Sequence, residues 1–344
     1  MKACPIPLDR YPVITMAHGG GGRLMHDLIE QLFFHAFDNP LLAKQHDGAV
    51  FSTHETRYAF TTDSYVVSPL FFPGGDIGKL AVYGTVNDLA MCGARPLYLS
   101  LSLILEEGLS METLWTVVNS VAEAALEAKV QIITGDTKVV GRGSGDKIFI
   151  NTSGIGEVRK DVEIGPWRIK GGDVVILSGD IGRHGISVLE AREELGFKAE
   201  VKSDSAPVSV CIESLLDAGV DIHCLRDLTR GGLASALNEI SHSAKLAVKV
   251  DEKEIPVESA VRGSSEMLGL DPLYIANEGR FIAIVRSSDK DRTMSVLKEH
   301  NVSTNAHVIG EVLDEKRELV VMKSLLGTER VLDMLSGEQF PRIC

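Results

Sequence analysis

Four aspartates have the side chains in this sequence best suited to hold a metal-bound phosphate. Asp47, Asp63, Asp88 and Asp136 each lie at or near the end of a predicted strand or helix. Mg²⁺ prefers hard oxygen ligands and often combines one or two carboxylates with water and substrate phosphates. Each aspartate alone is more typical of a cap or a turn. Their joint occurrence favours a site for magnesium and a nucleotide.

A glycine run supplies the second chemical feature. It follows His18, directly precedes an amphipathic helix that starts near Leu24, and consists of Gly19, Gly20, Gly21 and Gly22. Consecutive glycines let the backbone approach an anion, and a helix amino terminus offers unpaired N–H groups. The run matches neither the Walker A motif nor the dinucleotide motif G-x-G-x-x-G. It therefore indicates either a phosphate-binding loop or a flexible turn.

The elements that position these residues alternate between helical and strand-like patterns. Apolar residues recur at helical spacing over residues 24–37 and 113–128. Predicted strands, each bounded by Gly, Asp or Pro, are 58–62, 98–105, 130–134, 147–153, 174–178, 281–285, 307–312 and 318–322. Both halves of the chain contain both patterns, which predicts a mixed α/β chain of the α+β class.

The turn-rich stretch 164–172 is the best candidate for a domain boundary. We place the division near residue 165, with an N-terminal domain at 1–165 and a C-terminal α+β domain at 166–335. The last nine residues, 336–344, contain few helix or strand signals and are predicted to be a flexible tail. Fully extended, they would span about 30 Å.

Composition and charge exclude several classes of function. The 344 residues include 35 basic and 48 acidic side chains, which give a net charge of −13 and argue against a nucleic-acid partner. The longest apolar stretch, 97–105, is shorter than the roughly 20 residues that cross a bilayer. The amino terminus lacks a secretory signal, so we expect a cytoplasmic protein. Five cysteines without a C-x-x-C pair indicate reduced thiols rather than disulfides or zinc ligands.

Several motifs resemble a known ATP-binding superfamily. They are Gly78-Lys79-Leu80-Ala81, Asn87-Asp88-Leu89-Ala90, Gly93-Ala94-Arg95-Pro96, Phe71-Phe72-Pro73-Gly74-Gly75, Gly135-Asp136-Thr137-Lys138, Asp227-Leu228-Thr229-Arg230-Gly231-Gly232, Asn277-Glu278-Gly279 and the terminal Pro341-Arg342-Ile343-Cys344. The first three are similar to the aminoimidazole ribonucleotide synthetase-like superfamily, which includes selenophosphate synthetase and thiamine-monophosphate kinase. The others resemble, within it, the HypE family of hydrogenase maturation factors. Residues 1–12 have no counterpart in it.

The resemblance implies a two-domain PurM-like architecture and a homodimer whose N-terminal sheets meet across the two subunits, with ATP and Mg²⁺ bound near that interface. It also implies a reaction. In the family, HypF places a carbamoyl group on the terminal cysteine, and the HypE protein uses ATP to dehydrate the thiocarboxamide to a thiocyanate. The cyanide then passes to iron held by HypC and HypD, for the nickel-iron centre of hydrogenase.

The resemblance also assigns roles to particular residues. Lys79 and Asn87 are expected to bind the nucleotide with the four aspartates, which serve as magnesium ligands, and with the glycine run. Lys138 would steady the transferred phosphate or the carboxamide oxygen, although an ordinary surface lysine is the alternative. Glu278 is the candidate base, although a solvated loop acid is the alternative when the residue is considered alone.

Cys344 carries its own α-carboxylate, and that charge should raise the pKa of the thiol. We therefore expect a thiol that another enzyme loads and that tethers the reacting group. A local ion pair at a helix start is the simplest interpretation of Arg226, Asp227 and Arg230, and a phosphate contact is the weaker alternative. Two competing functions stay open: phosphorylation of a free small molecule, and a non-catalytic scaffold.

Overall fold

Two sheets form the framework of the molecule. The structure is a computed structural model that describes residues 13–37, 39–192, 200–335 and 343–344. One sheet has five strands and the other seven. The five-stranded sheet is built from residues before position 165, and the seven-stranded sheet from residues after it. This agrees with the predicted mixed α/β, two-domain fold class.

The strands are β1 Ala49–Thr53, β2 Thr56–Tyr65, β3 Phe71–Phe72, β4 Gly75–Asp76, β5 Ala94–Glu106, β6 Gln131–Val140, β7 Ile148–Val158, β8 Val174–Leu177, β9 Ile222–Asp227, β10 Val248–Asp251, β11 Phe281–Val285, β12 His307–Val312, β13 Val320–Lys323 and β14 Glu329–Val331. The α-helices are α1 Arg23–Leu28, α2 His35–Phe37, α3 Ile77–Met91, α4 Met111–Glu127, α5 Arg183–Glu190, α6 Ser209–Asp217, α7 Gly232–Ala244, α8 Ser259–Leu268 and α9 Lys290–Lys298. A π-helical segment, Ile29–Phe34, joins α1 to α2.

The first sheet has the strand order β1-β2-β7-β5-β6. Its pairs are antiparallel except β5 with β6, which are parallel and connected through α4. Along β7, side chains alternate between buried and partly buried positions, as expected for a strand with one covered face. β6 is an edge strand with mostly exposed side chains. One face of this sheet is therefore packed, and the β6 edge is open.

The second sheet has the order β14-β13-β10-β12-β8-β11-β9 and is covered on both faces. The period-2 alternation of β8 divides its residues: Val175 and Leu177 pack in the cluster that contains α7, and Val174 and Ile176 in the one that contains α6 and α9. Both faces are apolar, which explains why β8 and β11 read as continuous hydrophobic runs.

Helix α3 connects the two halves. All its residues except Lys79 and Asp88 are buried, because it packs against β2 and β7 on one side and α6 and β9 on the other. Its amino terminus is capped by Asp76, whose side chain accepts hydrogen bonds from the Gly78 and Lys79 N–H groups at 2.8 and 3.1 Å. This helix carries Asp88 to the junction between the two sheets.

Most predicted elements are present, with shifted ends. The helices expected at 24–37 and 113–128 occupy 23–37 and 111–127, although the first contains the π-helical segment. All eight predicted strands are observed, and β1, β3, β4, β9, β10 and β14 were not predicted. Most of the predicted flexible tail, residues 336–342, lies outside the described residues. Among the helices of the described ranges, none has the length and apolar composition needed to cross a membrane.

Candidate active site

A cavity of about 200 Å³ lies at the junction of the two sheets. Asp47 precedes β1, Asp63 lies on β2, Asp88 on α3 and Asp227 at the end of β9. The complete lining is His46, Asp47, Thr61, Thr62, Asp63, Gly84, Asp88, Arg226, Asp227, Thr229, Arg230, Glu278 and Cys344. Three of the four predicted magnesium ligands therefore share one cavity with Glu278 and the terminal cysteine.

Asp47, Asp88 and Asp227 form the core of this site, with one carboxylate oxygen of each within 4.8 Å of the others. Burial raises the pKa of Asp88 well above its usual range, and the charges of Asp227 and Asp47 raise it further. Burial and the charge of Asp47 likewise raise the pKa of Asp227. Like charges this close disfavour ionisation of the whole set, and a bound cation would remove that penalty.

Asp47 differs from its two neighbours because it has a cationic partner. Burial alone would raise its pKa, but Arg226, 2.5 Å away, and His46 outweigh burial and lower it. Its Oδ2 atom accepts no hydrogen bond from the described residues. Three hard oxygen donors this close together fit Mg²⁺. The sequence did not predict Asp227 as a member of this cluster and interpreted it as an ion-pair partner.

Glu278 is 3 % exposed and follows Asn277, which is fully buried. The Glu278 N–H donates to both Asp204 carboxylate oxygens at 3.3 and 3.4 Å. Its own Oε1 has no hydrogen-bond partner among the described residues. Burial, followed by the charges of Asp227 and Asp204, raises its pKa well above the usual range. A carboxylate with this environment is a stronger base than one in water.

Cys344 enters the cavity because the end of the chain is held inward. The Val66 N–H donates to the Cys344 backbone oxygen at 3.1 Å, and Nε2 of buried His184 lies 2.9 Å from the Ile343 oxygen. Burial raises the pKa of the Cys344 thiol to about 12; Arg230 opposes this, and Glu278 adds to it. The predicted direction is confirmed, although the leading cause is burial and not the residue's own carboxylate.

The glycine run borders a second, adjacent cavity of about 360 Å³. Gly19 and Gly20 line it, and Arg230 and Cys344 line both cavities. Gly21 has φ +72°, and a Cβ there would lie 2.7 Å from the Arg230 backbone. Glycine is therefore required where this loop packs against the segment that follows β9. Gly21 and Gly22 are not among the lining residues, and Gly22 caps α1.

Two other predicted residues on α3 do not face the cavity. Asn87 is buried, and its side chain donates to the Ala206 and Glu278 oxygens and accepts from the Val208 N–H. It thereby holds the backbone that carries Glu278. Lys79 lies in the first turn of α3, beside the cap, and is not part of the cavity lining.

Asp136 and Lys138 also lie outside the cavity of their own chain. They are on the edge strand β6, with exposed side chains (61 % and 70 %) whose Oδ2 and Nζ atoms are 2.8 Å apart. The hydrogen bond from Lys138 is the main cause of the lowered pKa of Asp136. Sequence spacing gave no sign of this separation, since it depends on the order of strands in the sheet.

Comparison with known proteins matches both halves of the chain. Residues 45–158 match the N-terminal domain of AIR synthase related proteins, and residues 170–323 match the C-terminal domain. Carbamoyl dehydratase HypE of Cupriavidus necator is 48 % identical over 332 residues, which cover 96 % of this chain and 95 % of that protein. This chain belongs to the HypE family.

Two solved HypE structures show the same fold over most of this chain. One, a hydrogenase maturation protein HypE in complex with ATP, is 48 % identical, has a TM-score of 0.81 and covers 96 % of this chain and 100 % of that chain. The other, from a HypE–HypF complex, is 46 % identical, has a TM-score of 0.85 and covers 90 % of this chain and 99 % of that chain. The family resemblance expected from the motifs is confirmed.

Proposed function

We propose that this protein is an ATP-dependent carbamoyl dehydratase that converts an S-carbamoyl group on its own Cys344 into a thiocyanate, which supplies cyanide for the iron of nickel-iron hydrogenase. The observation that carries the proposal is the position of Cys344. Cys344 lines the same cavity as Glu278 and the carboxylate cluster Asp47, Asp88 and Asp227. A group attached to that sulfur would be presented to these side chains.

The reaction has two stages. In the first, the carboxamide oxygen forms a bond to the γ-phosphorus of ATP, the bond to ADP breaks, and the nitrogen releases one proton. In the second, the remaining N–H proton leaves, the C–O bond breaks with phosphate as leaving group, and C≡N forms. The products are the thiocyanate, ADP and inorganic phosphate, and the two nitrogen protons pass to phosphate and solvent.

Glu278 is the proposed base of the second stage. Its buried oxygen, which has no hydrogen-bond partner among the described residues, and its raised pKa give a carboxylate that accepts a proton more readily than one in water. Arg230, which also lines the cavity, is the cation placed to balance charge on the departing phosphate. The raised pKa of Cys344 fits a thiol that another enzyme loads, since a neutral thiol is a weak nucleophile.

Asp47, Asp88 and Asp227 are the proposed magnesium ligands in this chain, with Asp63 beside them. When bound, Mg²⁺ supplies charge neutralisation for the triphosphate. Gly19 and Gly20, together with Arg230, border the adjacent cavity, where an ATP phosphate or its adjoining atoms would lie. The buried Asn87 supports the loop of Glu278 and has no free donor for a nucleotide among the described residues.

We also propose a homodimer in which Asp136 and Lys138 act in the partner's cavity. These two side chains are exposed on an open sheet edge and are absent from the lining of their own cavity. The same region exposes apolar side chains, including Ile133 and Val139 on β6 and Ile104 on β5. Covering this surface with the equivalent surface of a second copy would bury them.

The proposed partners are HypF, which would load the carbamoyl group, and the HypC–HypD pair, which would accept the cyanide. The HypE–HypF complex supports the first of them, because the HypE chain in it is 46 % identical to this one. We further propose domains at 1–165 and 166–335, and a cytoplasmic location. The free cysteines of the described residues, including Cys344, suit a reducing compartment.

A single-turnover measurement tests the function. The full chain, carbamoylated at Cys344, is mixed with Mg-ATP, and the mass of the C-terminal peptide is followed together with ADP. The expected result is the loss of the mass of one water from that peptide for each ADP formed. ATP consumption without this loss would contradict the proposal. So would full turnover of a free substrate by a chain lacking Cys344, which would favour small-molecule phosphorylation.

A further inference from the structure

Two histidines and a glutamate converge on the surface, away from both cavities. His26 lies in α1, Glu30 in the π-helical segment that continues it, and His242 in the last turn of α7. One ligand atom from each lies within 4.8 Å of the other two. None of the three lines either cavity described above. The proposed dehydration does not use them.

The distances between these atoms are close to those around a four-coordinate metal ion. Glu30 Oε1 is 3.3 Å from His26 Nε2 and 4.0 Å from His242 Nε2. Metal–ligand bonds of about 2.0–2.1 Å in a tetrahedron place neighbouring ligand atoms about 3.3 Å apart. The three side chains are 27 %, 38 % and 47 % exposed, in the order His26, Glu30, His242. A bound ion would draw His242 Nε2 closer to Glu30 Oε1, and the exposure of all three side chains leaves the site open to solvent.

A further carboxylate orients one of the histidines. Glu318 Oε2 lies 2.8 Å from Nδ1 of His242. This contact favours the tautomer with its proton on Nδ1, so that the lone pair of Nε2 points towards Glu30 and His26. A histidine that ligates a metal commonly donates its other N–H to a carboxylate in this way. The carboxylate ligand, Glu30, is also held in place, because Gln45 Nε2 donates a hydrogen bond to its Oε1 atom at 3.3 Å.

We propose that His26, Glu30 and His242 form a binding site for a divalent transition-metal ion of the Zn²⁺ type, with water as the fourth ligand. Two imidazoles and one carboxylate suit Zn²⁺, Co²⁺ or Ni²⁺, whereas Mg²⁺ prefers oxygen ligands alone. The site therefore differs in metal preference from the carboxylate cluster Asp47, Asp88 and Asp227. It is independent of the proposed dehydration.

The position of the site gives the ion a structural consequence. Helix α1 starts directly after the glycine run, and α7 starts directly after Arg230 and Gly231, which line the same cavity as Gly19 and Gly20. A metal bound to His26, Glu30 and His242 would thus join the two helices that continue from two segments lining this cavity. Bound metal should slow the opening of the α1 segment.

Visible absorption of Co²⁺ tests the site. Full-length protein without an affinity tag is stripped with a chelator and titrated with Co²⁺ in excess Mg²⁺, which occupies oxygen-only sites. The expected result is one equivalent of Co²⁺ with the strong ligand-field absorption of four-coordination, displaced by Zn²⁺. His242→Gln and His26→Gln should each weaken binding by more than about tenfold, and Glu318→Gln by about tenfold. His300→Gln, at a histidine outside the site, is the matched control.

Hydrogen exchange provides a second readout that does not depend on the visible absorption of Co²⁺. Zn²⁺ should increase protection of amides in residues 16–30 of the wild-type chain, and His242→Gln should abolish the increase while leaving the melting temperature without metal unchanged. Co²⁺ absorption of equal strength in both histidine variants would overturn the proposal. Absence of binding in the wild-type chain would also overturn it and leave the three residues as a surface ion-pair cluster.

Discussion

Carboxyl groups occur both in the cavity and on β6, but the pKa values of Asp88 and Glu278 in the cavity and of Asp136 on β6 are shifted in opposite directions. In the cavity, burial and mutual repulsion raise the pKa values of Asp88 and Glu278. On β6, Asp136 is exposed, and the hydrogen bond from Lys138 lowers its pKa. Arg226 and Arg230 therefore compensate only part of the carboxylate repulsion in the cavity, whereas the two charges of the β6 pair balance each other.

This difference indicates which region needs a ligand and which needs a partner. A cluster of repelling carboxylates gains stability from a cation, so Mg²⁺ with a nucleotide is the natural complement of the cavity. An exposed ion pair gains little from its own contact, so its assigned role requires another surface to approach it. The following variants separate the two regions.

The largest effect is expected from Glu278→Gln. Glutamine keeps the shape of the side chain but cannot accept a proton, so loss of water from the carbamoylated tail should slow by about 10²–10⁴-fold. Single-turnover mass measurement would show the unreacted carbamoyl group persisting. The matched control is Glu112→Gln in the exposed first turn of α4, which should react at the wild-type rate.

ATP binding separates a catalytic from a structural role of Glu278. Because Glu278 is buried, the variant's melting temperature and ATP affinity are measured alongside its rate. Retained ATP binding with lost dehydration supports the base. A wild-type rate in Glu278→Gln would remove Glu278 from the mechanism and leave the rest of the cavity assignment standing.

Mixed dimers give the next largest effect and test the role of β6 directly. A chain with Asp136→Asn and Lys138→Ala is inactive alone if both residues are required, and so is a Glu278→Gln chain. If β6 serves the partner's cavity, a heterodimer contains one intact site, and random pairing restores about a quarter of wild-type turnover. If a mixture shown to contain heterodimers recovers no turnover, Asp136 and Lys138 do not act in the partner's cavity. They would then act in their own chain's reaction or take no part in the reaction.

Some of this arrangement was readable from the sequence because it depends on local pattern. The strands predicted at 281–285 and 307–312 have those same bounds in the structure, since apolar runs between turn residues define them. β9 was missed because its sequence contains His223, which reads as polar. In the structure His223 is buried and lies 2.6 Å from Asp173 Oδ2, a contact between distant segments that no local window contains.

The candidate site was predicted in part for the same reason. Asp47, Asp63, Asp88 and Glu278 were selected by residue type and family motif, and the fold brings them to one cavity. Asp227 was assigned to a local ion pair with Arg226, but Arg226 contacts Asp47 and Glu239 instead. The folded chain places the Arg226 guanidinium against Asp47 and Glu239, and Asp227 lies in the carboxylate cluster with Asp47 and Asp88.

A smaller effect is expected from Asp88→Asn on the stability of the metal-free protein. The folded-state pKa of Asp88 lies above its ordinary value of 3.8, so the folded chain binds this proton more tightly than the unfolded chain. The resulting stability is present below pH 4 and is lost as pH rises through the folded-state pKa. Asparagine keeps an acceptor for the Thr61 hydroxyl, and should raise the free energy of unfolding at pH 8 by about 1 kcal/mol or more.

Denaturant unfolding between pH 4 and 8, with and without Mg²⁺, measures this effect. The wild-type chain should lose stability with rising pH more steeply than Asp88→Asn, and Mg²⁺ at pH 8 should stabilise the wild type more than the variant. Parallel pH profiles, or equal stabilisation by Mg²⁺, would show that Asp88 does not carry the repulsion assigned to it.

The smallest effect on stability is expected from Asp136→Asn, and this makes the variant informative. The pKa of Asp136 is lowered, so any stability from its contact with Lys138 is present above pH 3.8 and lost as pH falls. Because both side chains are exposed, solvent screens the contact, and the pH profile of unfolding should overlay that of the wild type. Dehydration should nevertheless slow. Such a loss of rate without a change in stability is the signature of a residue whose functional surroundings come from the other subunit, whereas a clear shift in the unfolding profile would make Asp136 a structural residue of its own strand.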